Sequence, residues 1–237
     1  MATDISLKCI GLIGGLPSRP TAEYYRLINQ ATRDQLGDFY AARTLMIPVD
    51  ASLIEQYQNR GQIGQALQIM IDAALRLERD GADVIIILSN SLHSMAYKLQ
   101  ERVAVPLLHI IEPTGQAIQK QGIVKIGLLC SASSKDTDFY KARLQDQFKL
   151  TVVAPNSIDQ GIIDNIVGEQ FAQGKVLAAG RQECRRILQD LIILGAQGII
   201  LGCTEMGLLV SQADSSVPLF DMMELHALAA AEQSVCD

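Results

Sequence analysis

The chain carries the same pattern twice. Gly81-Ala82-Asp83-Val84-Ile85-Ile86-Ile87-Leu88-Ser89-Asn90 has a counterpart 114 positions later in Gly195-Ala196-Gln197-Gly198-Ile199-Ile200-Leu201-Gly202-Cys203-Thr204. Nearer the start, Lys8-Cys9-Ile10-Gly11-Leu12-Ile13 is echoed by Lys125-Ile126-Gly127-Leu128-Leu129, with Gly11 and Gly127 116 apart. Two nearly equal offsets are hard to obtain by chance from short apolar runs. Each half also sets a helix-length segment, 66–80 and 181–194, before its second motif. Gly81 and Gly195 then read as helix stops ahead of a buried strand.

Unbroken Val/Ile/Leu runs without alternation belong to strands covered on both faces, the mark of a parallel sheet. Strands are predicted at 8–13, 44–47, 84–88, 107–109, 125–129, 150–153, 198–201 and 219–220. Helices are predicted at 20–36, 63–80, 94–102, 113–120, 136–148, 160–173, 181–194 and 223–233. The alternation gives an α/β fold: two similar doubly wound parallel-sheet lobes, related by a pseudo-twofold. Pro218-Leu219-Phe220-Asp221 resembles Pro106-Leu107-Leu108-His109, so the C-terminal segment is expected to return to the first lobe. The expected division is therefore 1–112 plus 214–237 for the N-terminal lobe and 113–213 for the C-terminal one.

Composition narrows the function classes. With 237 residues, 49% hydrophobic and 19% charged, the chain is long and apolar enough for a proper core. A net charge of −6 with no basic run argues against nucleic acid as a partner. The apolar runs are too short to span a bilayer, and the first residues lack the pattern of a secretion signal. Five scattered cysteines without a C-x-x-C pair point to a reducing, cytoplasmic setting rather than to disulfides or structural zinc. No His/Asp/Glu cluster has metal-ligand spacing and no Lys motif suggests a pyridoxal Schiff base, so neither metal nor cofactor is expected. Gly-Leu-Ile-Gly-Gly-Leu at 11–16 is an imperfect nucleotide fingerprint with no acidic ribose ligand after a second strand.

Ligands of open parallel sheets bind beyond the carboxyl ends of the strands. Those positions hold Gly14-Gly15, Val49-Asp50, Ser89-Asn90-Ser91, Ser131 and Cys203-Thr204-Glu205. If the lobes face each other, Ser89 and Cys203 flank one ligand in an interlobe cleft, which is where the active site is expected.

At these residues the chain resembles the aspartate/glutamate racemase family. The resemblance is carried by Ile10-Gly11-Leu12-Ile13-Gly14-Gly15, Tyr24-Tyr25-Arg26-Leu27-Ile28-Asn29, Ser89-Asn90-Ser91-Leu92-His93 and Ile200-Leu201-Gly202-Cys203-Thr204-Glu205. Asp138-Phe139-Tyr140, Asp221 and His226-Ala227 fit as well. It implies cofactor-independent inversion at the Cα of an acidic amino acid, aspartate first and glutamate second, by a homodimer. Relatives usually carry Cys-Asn-Thr-x-His where this chain has Ser89-Asn90-Ser91-Leu92-His93, and some broad-specificity relatives place Thr at the position of Ser89. The wider group includes hydantoin racemases, maleate isomerases and arylmalonate decarboxylases. A one-cysteine decarboxylase or isomerase, or a catalytically weak amino-acid-binding protein, is therefore the alternative.

Inversion without a cofactor removes a weakly acidic Cα proton and returns one from the opposite face, so it needs two acid–base groups. A thiol with a free pKa of roughly 8.5 suits the task, and a helix expected at 205–210 would favour the Cys203 thiolate. A serine hydroxyl is a poorer base, so Ser89 makes the two faces unequal. Asn90, Ser91, Leu92, Thr204, Glu205 and Ser131 are the expected substrate-binding residues, and Gln58 is the candidate for the distal carboxylate. His93 is read as orienting its loop or reaching a carboxylate. His109 and His226 are read as satisfied histidines near the core, and Cys9, Cys130, Cys184 and Cys236 as packing or tail positions.

Overall fold

The computed structural model describes residues 6–15, 18–131, 134–171, 178–203 and 206–235. The first half runs β1 (Ile10–Gly15), α1 (Ser18–Leu36), β2 (Thr44–Val49), α2 (Ala51–Asn59), α3 (Ile63–Arg79) and β3 (Val84–Ile87). A 3-10 turn (Asn90–Met95), α4 (Ala96–Gln100) and β4 (Leu107–Leu108) follow. The second half runs α5 (Ile111–Lys120), β5 (Lys125–Leu129), α6 (Ser134–Phe148), β6 (Thr151–Val153), α7 (Ser157–Asn165) and a π-helical turn (Ile166–Phe171). It continues with α8 (Ala178–Ile193), β7 (Ile199–Leu201), α9 (Met206–Leu209), a 3-10 turn (Gln212–Asp214), β8 (Leu219–Asp221) and α10 (Met222–Val235).

The duplication is visible in the topology. Both sheets are parallel, in the orders β2-β1-β3-β4 and β6-β5-β7-β8. Their central strands are fully buried, as their sequences foretold: Val84, Ile85, Ile86 and Ile87 in one, Ile199, Ile200 and Leu201 in the other. Register repeats as well, with Ile13 opposite Ile87 and Leu129 opposite Leu201. Gly11 and Gly127 recur because helices pack tightly on these strands. A Cβ on Gly11 would sit 2.9 Å from Ala82 Cβ and 3.2 Å from Leu77 of α3, and one on Gly127 would sit 3.3 Å from Leu191 of α8 and strike Ile199 of the neighbouring strand. Gly81 and Gly195 stop α3 and α8 at φ of 92° and 90°, a left-handed conformation that other residues resist.

Each sheet has its own core. In the first unit Met70, Ile71, Ala74 and Leu77 of α3 pack on Ile13, Ile85 and Ile87. In the second, Cys184, Ile187, Leu188 and Leu191 of α8 pack on Leu129, Ile199 and Leu201. Burying each such Leu or Ile side chain contributes roughly 1.5–3 kcal/mol. Burial also pushes the Cys184 thiol up to about 11, which fits a packing residue.

The chain divides into residues Met1–Ile110 with His226–Asp237, and Ile111–Leu225. The expected return of the chain at 214 is thus corrected. Leu219–Asp221 is the fourth strand of the second sheet, paired with β7, and the return falls inside α10. A repeated glutamine device explains why the two fourth strands look alike. Gln100 donates to Val103 O and Val105 O and accepts from Leu107 N (2.7 Å). Gln212 does the same with Ser215 O, Val217 O and Leu219 N (3.0 Å). One further element escaped the sequence reading: α2, which begins where the Asp50 carboxylate accepts from Ser52 N and Leu53 N.

Candidate active site

In the first unit, Leu88 N donates to Ile13 O at 2.9 Å, and the chain then leaves the sheet at Ser89. In the second, Gly202 N donates to Leu129 O at the same distance, and the chain leaves at Cys203. Ser89 and Cys203 therefore occupy equivalent places, each two residues past the last strand residue. Both are half-buried.

Ser89 is extended (φ −130°, ψ 123°), and its hydroxyl lies 3.3 Å from that of Ser91. The turn that follows is tight: Leu92 N donates to Ser89 O and Ser94 Oγ donates to Ser91 O (3.0 Å). Asn90 is half-buried and Ser91 exposed, both at the strand end as expected. Leu92 lies in the same turn. Its side chain points into the core with Met95 and Leu99, because an apolar residue in this turn gains more from burial than from an open strand end. His93 also turns inward and donates from Nε2 to Ile87 O at 3.1 Å, so it faces the sheet rather than solvent.

Cys203 lies beside Ser131, whose main-chain N–H donates to Sγ at 3.5 Å. Such a donor suits a thiolate better than a thiol. Gly202 allows the approach, since a Cβ there would be 2.6 Å from Cys130 Cβ. Alternation along the strand then turns Cys130 inward, against Thr137, while Cys203 meets the Ser131 backbone. Gln160 of α7 fixes this strand end by donating to Cys130 O at 2.9 Å, a contact for which the sequence offered no signal. Thr204 and Glu205 lie outside the described residues. The helix expected at 205–210 is the four-residue α9, too short for its dipole to act strongly on the thiol.

Two further positions belong to the end of β2 and to α2. Asp50, at the end of β2, is spent on capping α2, and its bonds from the Ser52 hydroxyl and the Leu53 and Ser52 N–H groups hold its carboxyl below the ordinary range. Gln58 stands eight residues further on, about 12 Å along α2. Its side chain makes no hydrogen bond to the strand-end residues described. Among the described residues no group of three or more His, Cys, Asp or Glu is arranged to hold a metal, and no helix is long and apolar enough to cross a membrane.

Two parallel-sheet lobes of one strand order, one with the Ser89 hydroxyl and the other with the Cys203 thiol just past its third strand, define the class by fold. The solved structures agree. A Yersinia pestis protein provisionally assigned as an Asp/Glu racemase is 38% identical, with a TM-score of 0.92 over 97% of this chain and 100% of that one. An aspartate racemase homologue from Pyrococcus horikoshii OT3 is 30% identical, with a TM-score of 0.85 over 96% of this chain and 99% of that one. Picrophilus torridus aspartate racemase shares the fold at 20% identity and a TM-score of 0.75, over 96% of this chain and 94% of that one. The sequence profile of the Asp/Glu/Hydantoin racemase family matches residues 13–230. The chain belongs to that family.

Proposed function

We propose that this protein racemises an acidic amino acid without a cofactor, with aspartate the first substrate and glutamate the second. The observation that carries the reading is the equivalence of Ser89 and Cys203, which leave two matching sheets at the same step. Cys203 takes or returns the Cα proton on one face of the substrate, with its sulfur supported by Ser131 N–H. Ser89 serves the other face and shares its proton with Ser91. Asn90, Ser91 and Ser131, together with Thr204 and Glu205 of the same motif, bind the α-carboxylate and amine, and Gln58 is the candidate for the distal carboxylate.

Enantiomers have equal free energy in water, so kcat/KM for racemisation is the same in both directions whatever the two bases are. Their inequality shows instead in exchange without inversion. A thiolate abstracts and returns a proton more readily than a hydroxyl does. In D2O the abstracted proton on the Cys203 thiol exchanges with solvent, so the enantiomer whose Cα–H faces Cys203 gains deuterium before it racemises, and its mirror image lags. Following deuterium at Cα and optical rotation for L- and D-aspartate tests this directly. Absence of exchange from either enantiomer of aspartate and of glutamate defeats the reading. The single thiol at the paired positions also favours a second reading, one-sided protonation after loss of CO₂ from a malonate. Release of CO₂ from a malonate, with aspartate untouched, would select it.

A further inference from the structure

Three histidines meet beneath the turn that carries Ser89. His93 in the turn, His109 just after β4 and His226 on α10 are 0–3% exposed. The His93 ring centroid lies 4.7 Å from that of His109 and 5.4 Å from that of His226. Each Nε2 faces a main-chain carbonyl: His93 to Ile87 O (3.1 Å), His109 to His93 O (3.3 Å) and His226 to Leu108 O (2.9 Å). A carbonyl can only accept, so every Nε2 bears its hydrogen and donates it. His226 Nδ1 is then the acceptor for the Tyr24 hydroxyl of α1, at 3.0 Å. The bonds secure the turn on both sides of Ser89, at Ile87 before it and at His93 after it.

Packing alone does not call for imidazoles here. His93 Nδ1 is buried with no hydrogen-bond partner among the described residues, which is a cost that an apolar side chain of similar size would avoid. What the ring supplies is its Nε2–H. Nor does the strand plan require the cluster. At the matching place in the second unit, the Asp221 carboxylate lies 2.6 Å from where a Cβ on Gly207 would be, and it caps α10 by accepting from Met223 N and Glu224 N.

We propose that His93, His109 and His226, with Tyr24, are positioning residues that fix the Ser89–Ser91 turn at the end of β3; this rests on the reading of Ser89 as one face of a two-sided site. They act through main-chain carbonyls and touch no substrate. The informative pair of variants is His93→Leu, which fills the space without a donor, and His93→Gln, which returns an N–H close to the position of Nε2.

In D2O exchange, the enantiomer served by Ser89 is the one whose exchange survives Cys203→Ala. His93→Leu should slow that enantiomer about tenfold to a hundredfold while leaving the other within about twofold, and His93→Gln should restore most of the loss. Equal slowing of both enantiomers, in step with a lowered Tm, would mean a merely structural role and overturn the proposal. If the unaltered protein exchanges neither enantiomer, the racemase reading has failed, but positioning is still readable. In a Ser89→Cys/Cys203→Ala background, alkylation at residue 89 by iodoacetamide, measured by peptide mass spectrometry, should shift about tenfold on His93→Leu and return on His93→Gln. An unchanged rate overturns the proposal. Should His93→Leu not fold, Tyr24→Phe deletes only the hydroxyl that meets His226. It must then move the same readouts in the same direction, and no movement overturns the proposal.

Discussion

The two units share one strand plan and part company just beyond it. Where β1 of the first ends in Gly14-Gly15, β5 of the second is followed by Cys130-Ser131, and where the first offers the Ser89 hydroxyl, the second offers the Cys203 thiol. Below these ends the first unit places three neutral rings and the second a carboxylate. The parts that repeat are those that packing dictates. Gly11 and Gly127 lie under helices, Gly81 and Gly195 stop them, and Gln100 and Gln212 clamp the loops before the fourth strands. Residues past the strand ends meet no such constraint, so there the copies are free to differ in chemistry.

The sharpest way to break this comparison is at the two positions proposed above to exchange the Cα proton, Ser89 and Cys203. Cys203→Ala should reduce Cα exchange of the enantiomer it serves by about 10²- to 10⁴-fold, and Ser89→Cys should raise racemisation about tenfold or more by giving both units a thiol. Deuterium incorporation followed by mass spectrometry reads both variants. Exchange that survives unchanged in Cys203→Ala contradicts the assignment of that face.

Acid should separate the units next, because all three histidines lie in the first. Burial holds His109 and His226 down to about 4 and pushes His93 well below its ordinary range. The rings face one another, Tyr24 and Tyr97. The folded values lie below the unfolded value of about 6.5, so the unfolded chain binds these protons first. Stability is full above that pH and falls as pH drops toward 4, by about 3 kcal/mol for each of His109 and His226. Amide hydrogen exchange compared at about pH 7 and about pH 4.5 should show protection lost first in β1, β3, β4 and α10. Loss beginning in β5 and β7 would contradict it.

A smaller effect comes from exchanging strand-end residues. Gly15→Ser installs the residue type that the second unit carries at Ser131, but a Cβ there would be 2.5 Å from Val49 O, so the first unit should lose about 1–3 kcal/mol by denaturant unfolding. Ser131→Gly should change stability by about 1 kcal/mol or less. Equal losses would show that the two ends are held alike. The smallest contrast concerns the helix caps of α2 and α7. Asp50→Ala and Asn156→Ala should each lower Tm by a few degrees, roughly as expected for a lost N-cap. The Asp50 contribution should fade more as pH falls through the carboxylate range, since its ionised side chain is itself the cap acceptor, whereas Asn156 meets a carboxylate only through its Nδ2 bond to Asp159. A matching loss at Asn156 would break the distinction.

How much was legible in the sequence follows from range. The buried strands announce themselves as unbroken apolar runs, and β5 begins and ends where the pattern places it. The equivalence of Ser89 and Cys203 was readable from the repeat alone. α2 was missed because its signal is a single capping carboxylate at Asp50 rather than a long apolar period. Leu92 looked like part of a binding motif, and only its packing against Met95 and Leu99 shows which way it points.

The sequence by itself determined the twofold plan, the α/β class and the identity of the residues at the strand ends, because those depend on local periodicity and on spacing along the chain. Tertiary structure alone decided that Leu219–Asp221 pairs in the second sheet, that Cys203 meets the amide of Ser131, and that His93, His109 and His226 gather under one turn. Such contacts join residues 16 to 133 positions apart, and no local pattern encodes which distant partner will complete them.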